Sequence, residues 1–473
     1  VSSPDAPPAL PRTLAALRQS GWQSRSVREE LRANLVARLR RGEVLFPGVL
    51  GYGDTVIPAV ENALLCGHDL IFLGERGQAK TRMIRALAGL LDEWMPEIAG
   101  SEIHDDPFAP ISARGRQLLA ERGDACDIAW VHRDDRYVEK LATPDVSIAD
   151  LIGDVDPVKV AEGRSLSDEL TMHFGLVPRT NRGIFCINEL PDLTEKVQVG
   201  LFNVMEERDV QVKGYRVRLP IDVFVVASAN PEDYTSRGRI ITPLKDRYAA
   251  QIRTHYPRTR DLEQAVVEQE AREPALEGLT LHVPDFMREL VAEITFQARK
   301  SADVNQASGV SVRMSIANYE TLLANAVRRA LQLGESEAVP RISDLDALHS
   351  STSGKLELEY AGVERPESEV IRDLARRATK VVFDEHIPLE GVASVVESFE
   401  QGWKVEVGPR MPAEEYLSGL DAISGLRDAA AALAGGDSPA RLASAIEFIL
   451  EGLHLSNRLN KQAREHGALF ARK

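Results

Sequence analysis

Leu70-Ile71-Phe72-Leu73 runs directly into Gly74-Glu75-Arg76-Gly77-Gln78-Ala79-Lys80-Thr81. Four apolar residues suit a buried parallel strand, and the glycines after it permit the positive φ angles with which backbone N–H groups curl around phosphates. Met83, Ile84, Leu87 and Leu90 recur at helical spacing, so a helix from Arg82 to Leu91 aims its positive dipole end at the same anion. In this reading Gly74 to Ala79 form the cradle, Lys80 meets the β- and γ-phosphates, and the Thr81 hydroxyl holds Mg²⁺. The pattern is G-x-x-x-x-G-K-S/T with one departure, Ala79 in place of the last glycine. An ordinary strand-turn-helix corner is the alternative.

Two more apolar runs end in polar residues. Gly183-Ile184-Phe185-Cys186-Ile187 leads to Asn188-Glu189, and Asp222-Val223-Phe224-Val225-Val226-Ala227-Ser228-Ala229 leads to Asn230-Pro231. Parallel α/β sheets gather ligands at the carboxyl ends of their strands, which gives these residues a mechanical meaning. Glu189 is placed to polarise an attacking water. Asn188 stands where an aspartate usually steadies the water shell of Mg²⁺; an amide keeps the hydrogen bonding and loses the charge. In the alternative reading both residues merely cap the next turn. Asn230 is placed to orient the lytic water or touch the γ-phosphate. Between the two runs lie a helix from Lys196 to Glu206 and a β-hairpin, residues 209–219, turning at Lys213-Gly214. Past Arg237 and Arg239, Thr242-Pro243-Leu244-Lys245-Asp246-Arg247-Tyr248 offers an arginine in a short helix. Arg247 suits an arginine finger, worth about 10³–10⁵ in rate, with a plain salt bridge as the alternative. Arg313 opens a helix after Ser308-Gly309-Val310-Ser311-Val312, from which it could reach back toward nucleotide.

The remainder sets the frame. A chain of 473 residues predicts more than one domain. Its formal charge of −15 argues against a surface that wraps nucleic acid or binds anionic membrane. Cys66, Cys126 and Cys186 form no C-x-x-C pair, which suits a reducing interior, and no apolar run reaches the length of a membrane span. The start, Val1 to Pro8, reads as a flexible arm and not a signal peptide, so the cytoplasm is the expected compartment. Residues 26–41 read as a charged amphipathic brace helix, with Val27, Leu31, Leu35 and Leu39 on one side. Tyr52 and the glycines around it suit an adenine pocket or a loop packed on the sheet edge. Residues 96–127 read as a solvated insertion, in which His104-Asp105-Asp106-Pro107 lacks metal-ligand spacing. Residues 142–154 read as an insertion around a core helix. From Asp261 onward the pattern is helical, with one small strand region at Trp403 to Val407 and a break at Gly435-Gly436-Asp437-Ser438-Pro439 before a last amphipathic helix.

Taken in order, the glycine loop, Asn-Glu after a strand, the hairpin, the strand ending in Asn-Pro, Leu-Lys-Asp-Arg-Tyr and the serine-flanked arginine are similar to the AAA+ ATPases of the MoxR and magnesium chelatase group, over about residues 42–350. Gln78-Ala79-Lys80-Thr81 resembles the MoxR loop. Gly74-Glu75-Arg76-Gly77, Arg85-Ala86-Leu87-Ala88, His104-Asp105-Asp106-Pro107 and Asn181-Arg182-Gly183-Ile184 resemble the chelatase ATPase subunit. The resemblance implies an α/β P-loop AAA+ core, a parallel sheet flanked by helices with a hairpin before the first sensor, followed by a helical lid. The expected domains are an arm and brace helix (1–41), the core (42–257), the lid (258–354) and a mainly helical extension (355–473) that lies outside the resemblance.

The resemblance also implies roles. Lys80 and Thr81 bind phosphate and Mg²⁺, Glu189 is the catalytic base, Asn230 the first sensor, Arg247 the arginine finger and Arg313 the second sensor. ATP and Mg²⁺ are the implied cofactors. The implied partners are further copies in a hexameric ring, with Arg247 acting on the neighbour's nucleotide, and a protein carrying a von Willebrand factor A domain. The functions that follow are a MoxR-like ATPase remodelling or loading a protein, a magnesium chelatase motor subunit, or a nucleotide-gated scaffold in which Asn188 slows turnover.

Overall fold

Alternation between the two faces of a five-stranded parallel sheet organises the first half of the chain. The computed structural model describes residues 10–156, 158, 169–207, 209–211, 218–230, 239–359, 365–418, 423–465 and 467–473. They form two compact units, Val1–His255 and Tyr256–Lys473. In the first unit the core strands are β1 (Leu70–Leu73), β2 (Tyr137–Leu141), β3 (Gly183–Asn188), β4 (Val223–Ala229) and β5 (Ala250–Arg253), in the order β5-β1-β4-β3-β2. All neighbours are parallel, with Leu73 opposite Ala229, Ala227 opposite Ile187 and Asn188 opposite Leu141. Period-2 alternation sends Phe72, Cys186, Phe224 and Val226 toward the helices Val27–Arg40, Val56–Cys66 and Lys80–Ala86. Ile71, Phe185, Ile187, Val225 and Ala227 face the side that carries the helix Glu195–Glu207.

Local chemistry explains the element ends. Ser26 caps the brace helix Val27–Arg40 in a capping box with Glu29, and Gly67 ends the helix Val56–Cys66 at φ 71°. The helix after the phosphate loop is shorter than its periodicity predicts. It spans Lys80–Ala86 and tightens into a 3₁₀ turn, Leu87–Leu90, where Gly89 weakens helix propensity. The strands of the predicted hairpin pair antiparallel, Asp209–Gln211 with Arg218–Pro220. Its turn at Lys213-Gly214, like Arg237, lies outside the described residues.

Residues 96–127 are not the solvated insertion the sequence suggests. Trp94–Ile98 pairs antiparallel with Ile128–His132, and the helix Ala113–Arg122 packs in a small apolar cluster with Leu14, Leu17 and Ile98. Asp105 is fully buried there and accepts from Ile111 N (2.7 Å), Ser112 N (2.9 Å) and Ser101 Oγ (2.9 Å). A buried carboxylate with several donors pins the loop, since leaving any of those groups unpaired would be costly. His104 Nδ1 lies 2.6 Å from Glu97.

In the second unit the helices Arg260–Glu270, Asp285–Lys300, Val312–Leu333, Glu367–His386 and Pro439–Leu455 contribute to a single hydrophobic core. Phe286 stacks on Phe448 at 4.4 Å. Gly452 sits mid-helix because a Cβ there would fall 1.9 Å from the Phe383 ring. Residues 258–354 and 355–473 thus share one interior. The strand region near Trp403 is Val405–Val407, and it belongs to a three-stranded sheet with Gly467–Arg472 and Leu459–Arg464 that the sequence reading missed. Among the described residues no helix is long and apolar enough to cross a membrane.

Candidate active site

The loop after β1 curls because of residues that carry positive φ. Gly77 stands at φ 77° and Ala79 at φ 55°, ψ 14°, immediately before the helix Lys80–Ala86. Gly74 is required for another reason: a Cβ would meet Thr254 Oγ1 at 1.9 Å and Gln78 Oε1 at 2.2 Å. The loop is fastened from behind. Gln78 is buried and receives the Thr254 hydroxyl (2.5 Å) while donating to Glu75 (2.7 Å). Tyr52, placed by the sequence at an adenine pocket or the sheet edge, is buried and donates its hydroxyl toward Gln78 O (3.0 Å) and His255 O (2.8 Å). Arg76 is exposed and Thr81 half-buried.

A left-handed conformation costs an L-residue roughly 1–2 kcal/mol, and glycine adopts it freely while losing more entropy on folding. Ala79→Gly is therefore expected to stabilise the first unit by about 0.5–1 kcal/mol. Urea unfolding followed by Trp22, Trp94 and Trp130 checks this; an unchanged or lowered midpoint would show that Ala79 carries no strain.

Lys80 is 7 % exposed, and its ammonium is held by Gly74 O, Glu75 O (2.8 Å) and Asn230 Oδ1 (2.8 Å). The other end of the same amide, Asn230 Nδ2, donates to Glu189 Oε2 at 3.0 Å. So the three strands β1, β4 and β3, adjacent in the sheet, present Lys80, Asn230 and Glu189 as one hydrogen-bonded relay at their carboxyl ends. Glu189 takes the left-handed region at φ 56°, ψ 48°, with its N–H donated to Ser228 Oγ (3.1 Å). Strain of this kind in a non-glycine residue marks a position that its surroundings over-determine.

Asn188 closes β3 and is buried. Its Oδ1 accepts from Ser228 Oγ at 3.2 Å, and its Nδ2 donates to Glu139 Oε1. Glu139, on β2, was not picked out by the sequence reading. Its carboxylate also takes two hydrogen bonds from Arg85, at 2.7 and 2.9 Å, and one from Tyr137 at 3.1 Å. Arg85 holds the Glu139 carboxyl below the usual range, and burial pushes the Cys186 thiol up to about 12, so it stays protonated.

Arg247 ends the helix Thr242–Arg247 half-buried, ion-paired with Glu206 and 5.3 Å over the Phe202 ring. It is not joined to the Lys80 relay by any hydrogen bond among those described. Arg313 belongs to the second unit, exposed at the first turn of the helix Val312–Leu333.

Comparison with known proteins finds partial similarities. The Sigma-54 interaction domain family matches residues 165–247, the segment with β3, the hairpin strands and β4. The magnesium-chelatase subunit ChlI of Nostoc sp. is 26 % identical over 243 residues, covering 50 % of this chain and 61 % of that protein. The magnesium-chelatase 38 kDa subunit of Cereibacter sphaeroides is 28 % identical over 210 residues, covering 43 % of this chain and 55 % of the relative. These alignments thus take in little more than half of the relatives' own length. Among solved structures, a cryo-EM-based assembly of the magnesium chelatase subunits BchI and BchD gives a chain 20 % identical, with a TM-score of 0.33, covering 66 % of this chain and 93 % of that one. With its phosphate loop, sheet and strand-end residues set as described, the chain is similar to AAA+ ATPases of the group that includes the magnesium chelatase ATPase subunits.

Proposed function

We propose that this chain binds ATP with Mg²⁺ at the loop Gly74–Thr81 and hydrolyses it, using the cycle to remodel or load a protein partner. The observation that supports this best is the relay from Lys80 through Asn230 to Glu189. The site residues suit such a ligand. Lys80 is buried on three oxygen acceptors that phosphate oxygens can replace, and the loop's positive φ angles turn backbone N–H groups inward. Mg²⁺, when bound, neutralises charge on the phosphate oxygens, with Thr81 and, through water, Asn188 as its protein contacts. Lys80 then binds the β- and γ-phosphates. Glu189 orients and deprotonates the attacking water, and Asn230, bonded to both Lys80 and Glu189, links phosphate occupancy to the position of the base. Arg247, at the end of its helix, stabilises transferring charge on a neighbouring copy's nucleotide in a hexameric ring, which requires it to leave Glu206. Arg313 acts as the second sensor.

The curated matches favour a second reading, in which the chain is the ATPase motor of a magnesium-inserting enzyme; a von Willebrand factor A domain protein is the partner implied in the first. A nucleotide-gated scaffold is the third, motivated by Asn188. The test is labelled-ATP binding and steady-state ATPase rate against protein concentration, with mass measured in parallel. Wild type is expected to bind, assemble and turn over cooperatively, and Lys80→Ala to lose nucleotide affinity. A Lys80→Ala chain that binds ATP as wild type does would remove the assignment of the phosphate loop. A ring that forms with ATP and turns over no faster than a buffer blank would favour the scaffold.

A further inference from the structure

Asn188 removes a negative charge from the place where a nucleotide's metal is ordinarily steadied, and Mg²⁺ sites lean on one or two carboxylates together with phosphates and water. The sheet register shows where a replacement comes from. Asn188 lies opposite Leu141 in β2, and Glu139 lies opposite Cys186, two residues earlier on both strands. Residues two apart share a face, so Glu139, Cys186 and Asn188 point to the same side. Cys186 packs in the cluster that holds Met83 and Ile84 of the phosphate-loop helix. Glu139 therefore stands under that helix and touches Asn188 from the side. Arg85 ties it there with two hydrogen bonds, and Thr81 is on the same helix face one turn earlier, about 6 Å along the axis.

We infer that Glu139 supplies, from the neighbouring strand, the carboxylate charge that Asn188 lacks for the hydrated Mg²⁺ of bound nucleotide. The inference rests on the ATP-binding reading above. Glu139 and Asn188 divide one role between two strands. The amide, held by Ser228 and Glu139, fixes the orientation, and the carboxylate behind it provides the field. Arg85 is the counter-ion that holds Glu139 in place; its side chain is 65 % exposed, whereas Glu139 is 20 % exposed. Exposed ion pairs contribute little to stability, so a merely structural pair gives no reason for a buried asparagine amide to be aimed at the same carboxylate.

The experiment is equilibrium binding of a fluorescent, non-hydrolysable ATP analogue titrated with Mg²⁺ at protein excess, which reads metal affinity without requiring hydrolysis. Glu139→Gln is expected to raise the half-saturating Mg²⁺ by about 10–100-fold, with metal-free nucleotide affinity unchanged. Asn188→Asp in the Glu139→Gln background is expected to restore the wild-type Mg²⁺ requirement. Arg85→Gln breaks the same ion pair but leaves the Glu139 carboxylate held by Asn188 Nδ2 and the Tyr137 hydroxyl, and is expected not to raise it. A Glu139→Gln chain with the wild-type Mg²⁺ requirement overturns the inference alone, as does an Arg85→Gln chain that shifts equally, since both then lose only an ion pair. A wild-type chain that binds no labelled nucleotide at any Mg²⁺ concentration overturns the function reading and the inference together.

Discussion

Glu189→Gln is expected to lower ATP turnover by about 10²–10⁴-fold while leaving ATP affinity and assembly intact. Glutamine is nearly isosteric and keeps an oxygen to accept from Asn230 Nδ2, so the relay to Lys80 survives. What it loses is the ability to take a proton. The left-handed backbone of residue 189 and its N–H bond to Ser228 are unaffected by a side-chain amide, so no structural penalty confuses the result. Rapid-quench and steady-state assays with radiolabelled ATP measure the drop, and nucleotide co-elution shows retained binding. Residual turnover near wild type would move the base elsewhere, and Glu139, one strand over, would become the first group to test. Loss of binding along with turnover would instead show that Glu189 helps hold the nucleotide.

The contrast between Glu189 and Glu139 also shows what the sequence could and could not reveal. Strands β1, β4 and β3 are interior to the sheet, covered on both faces, so each reads as a continuous apolar run whose polar ending stands out. Strands β2 and β5 are the sheet edges. Tyr137-Val138-Glu139-Lys140-Leu141 is only partly buried and Ala250-Gln251-Ile252-Arg253 mixes exposed and buried positions. An edge strand needs no apolar run, so nothing in the local pattern set Glu139 apart. The same logic hid the terminal sheet, because Leu459–Arg464 buries only its first residue. Asp105 was hidden for a different reason. Its donors are two backbone N–H groups and two serine hydroxyls of a loop, and a loop's hydrogen-bond closure leaves no periodicity in the residue pattern. The relay residues were legible because glycine loops and strand-end polar residues are local signals. The residues that orient them, Ser228, Thr254 and Glu139, depend on which strands become neighbours.

Glu30→Ala is expected to destabilise the first unit by about 3–5 kcal/mol, far more than its place on a charged helix suggests. Glu30 is 5 % exposed and receives Arg136 Nη1 at 2.8 Å, Arg136 Nη2, and Asp92 N at 2.6 Å. Arg136 is fully buried, and its remaining hydrogen bonds go to Arg182 O. Removing the carboxylate leaves a buried guanidinium without its counter-charge and a backbone N–H without an acceptor. The consequence reaches the sheet because the first turns of this helix fasten the amino ends of the core strands. Arg28 pairs with Asp69 before β1 (2.6 Å), Val27 N donates to Asp222 before β4 (2.6 Å), and Glu30 holds Arg136 just before β2, which in turn binds Arg182 before β3. The relay of Lys80, Asn230 and Glu189 sits at the opposite ends of the same strands, so its alignment depends on this clamp. Urea unfolding followed by tryptophan fluorescence measures the loss, with Glu29→Ala, which on the exposed side of the same turn loses only the capping-box bonds to Ser26, as the comparison. Equal and small shifts in the two variants would show that the pair of Glu30 and Arg136 does not hold the sheet. A large shift in Glu30→Ala accompanied by weaker ATP binding would connect strand alignment at one end of the sheet to nucleotide affinity at the other.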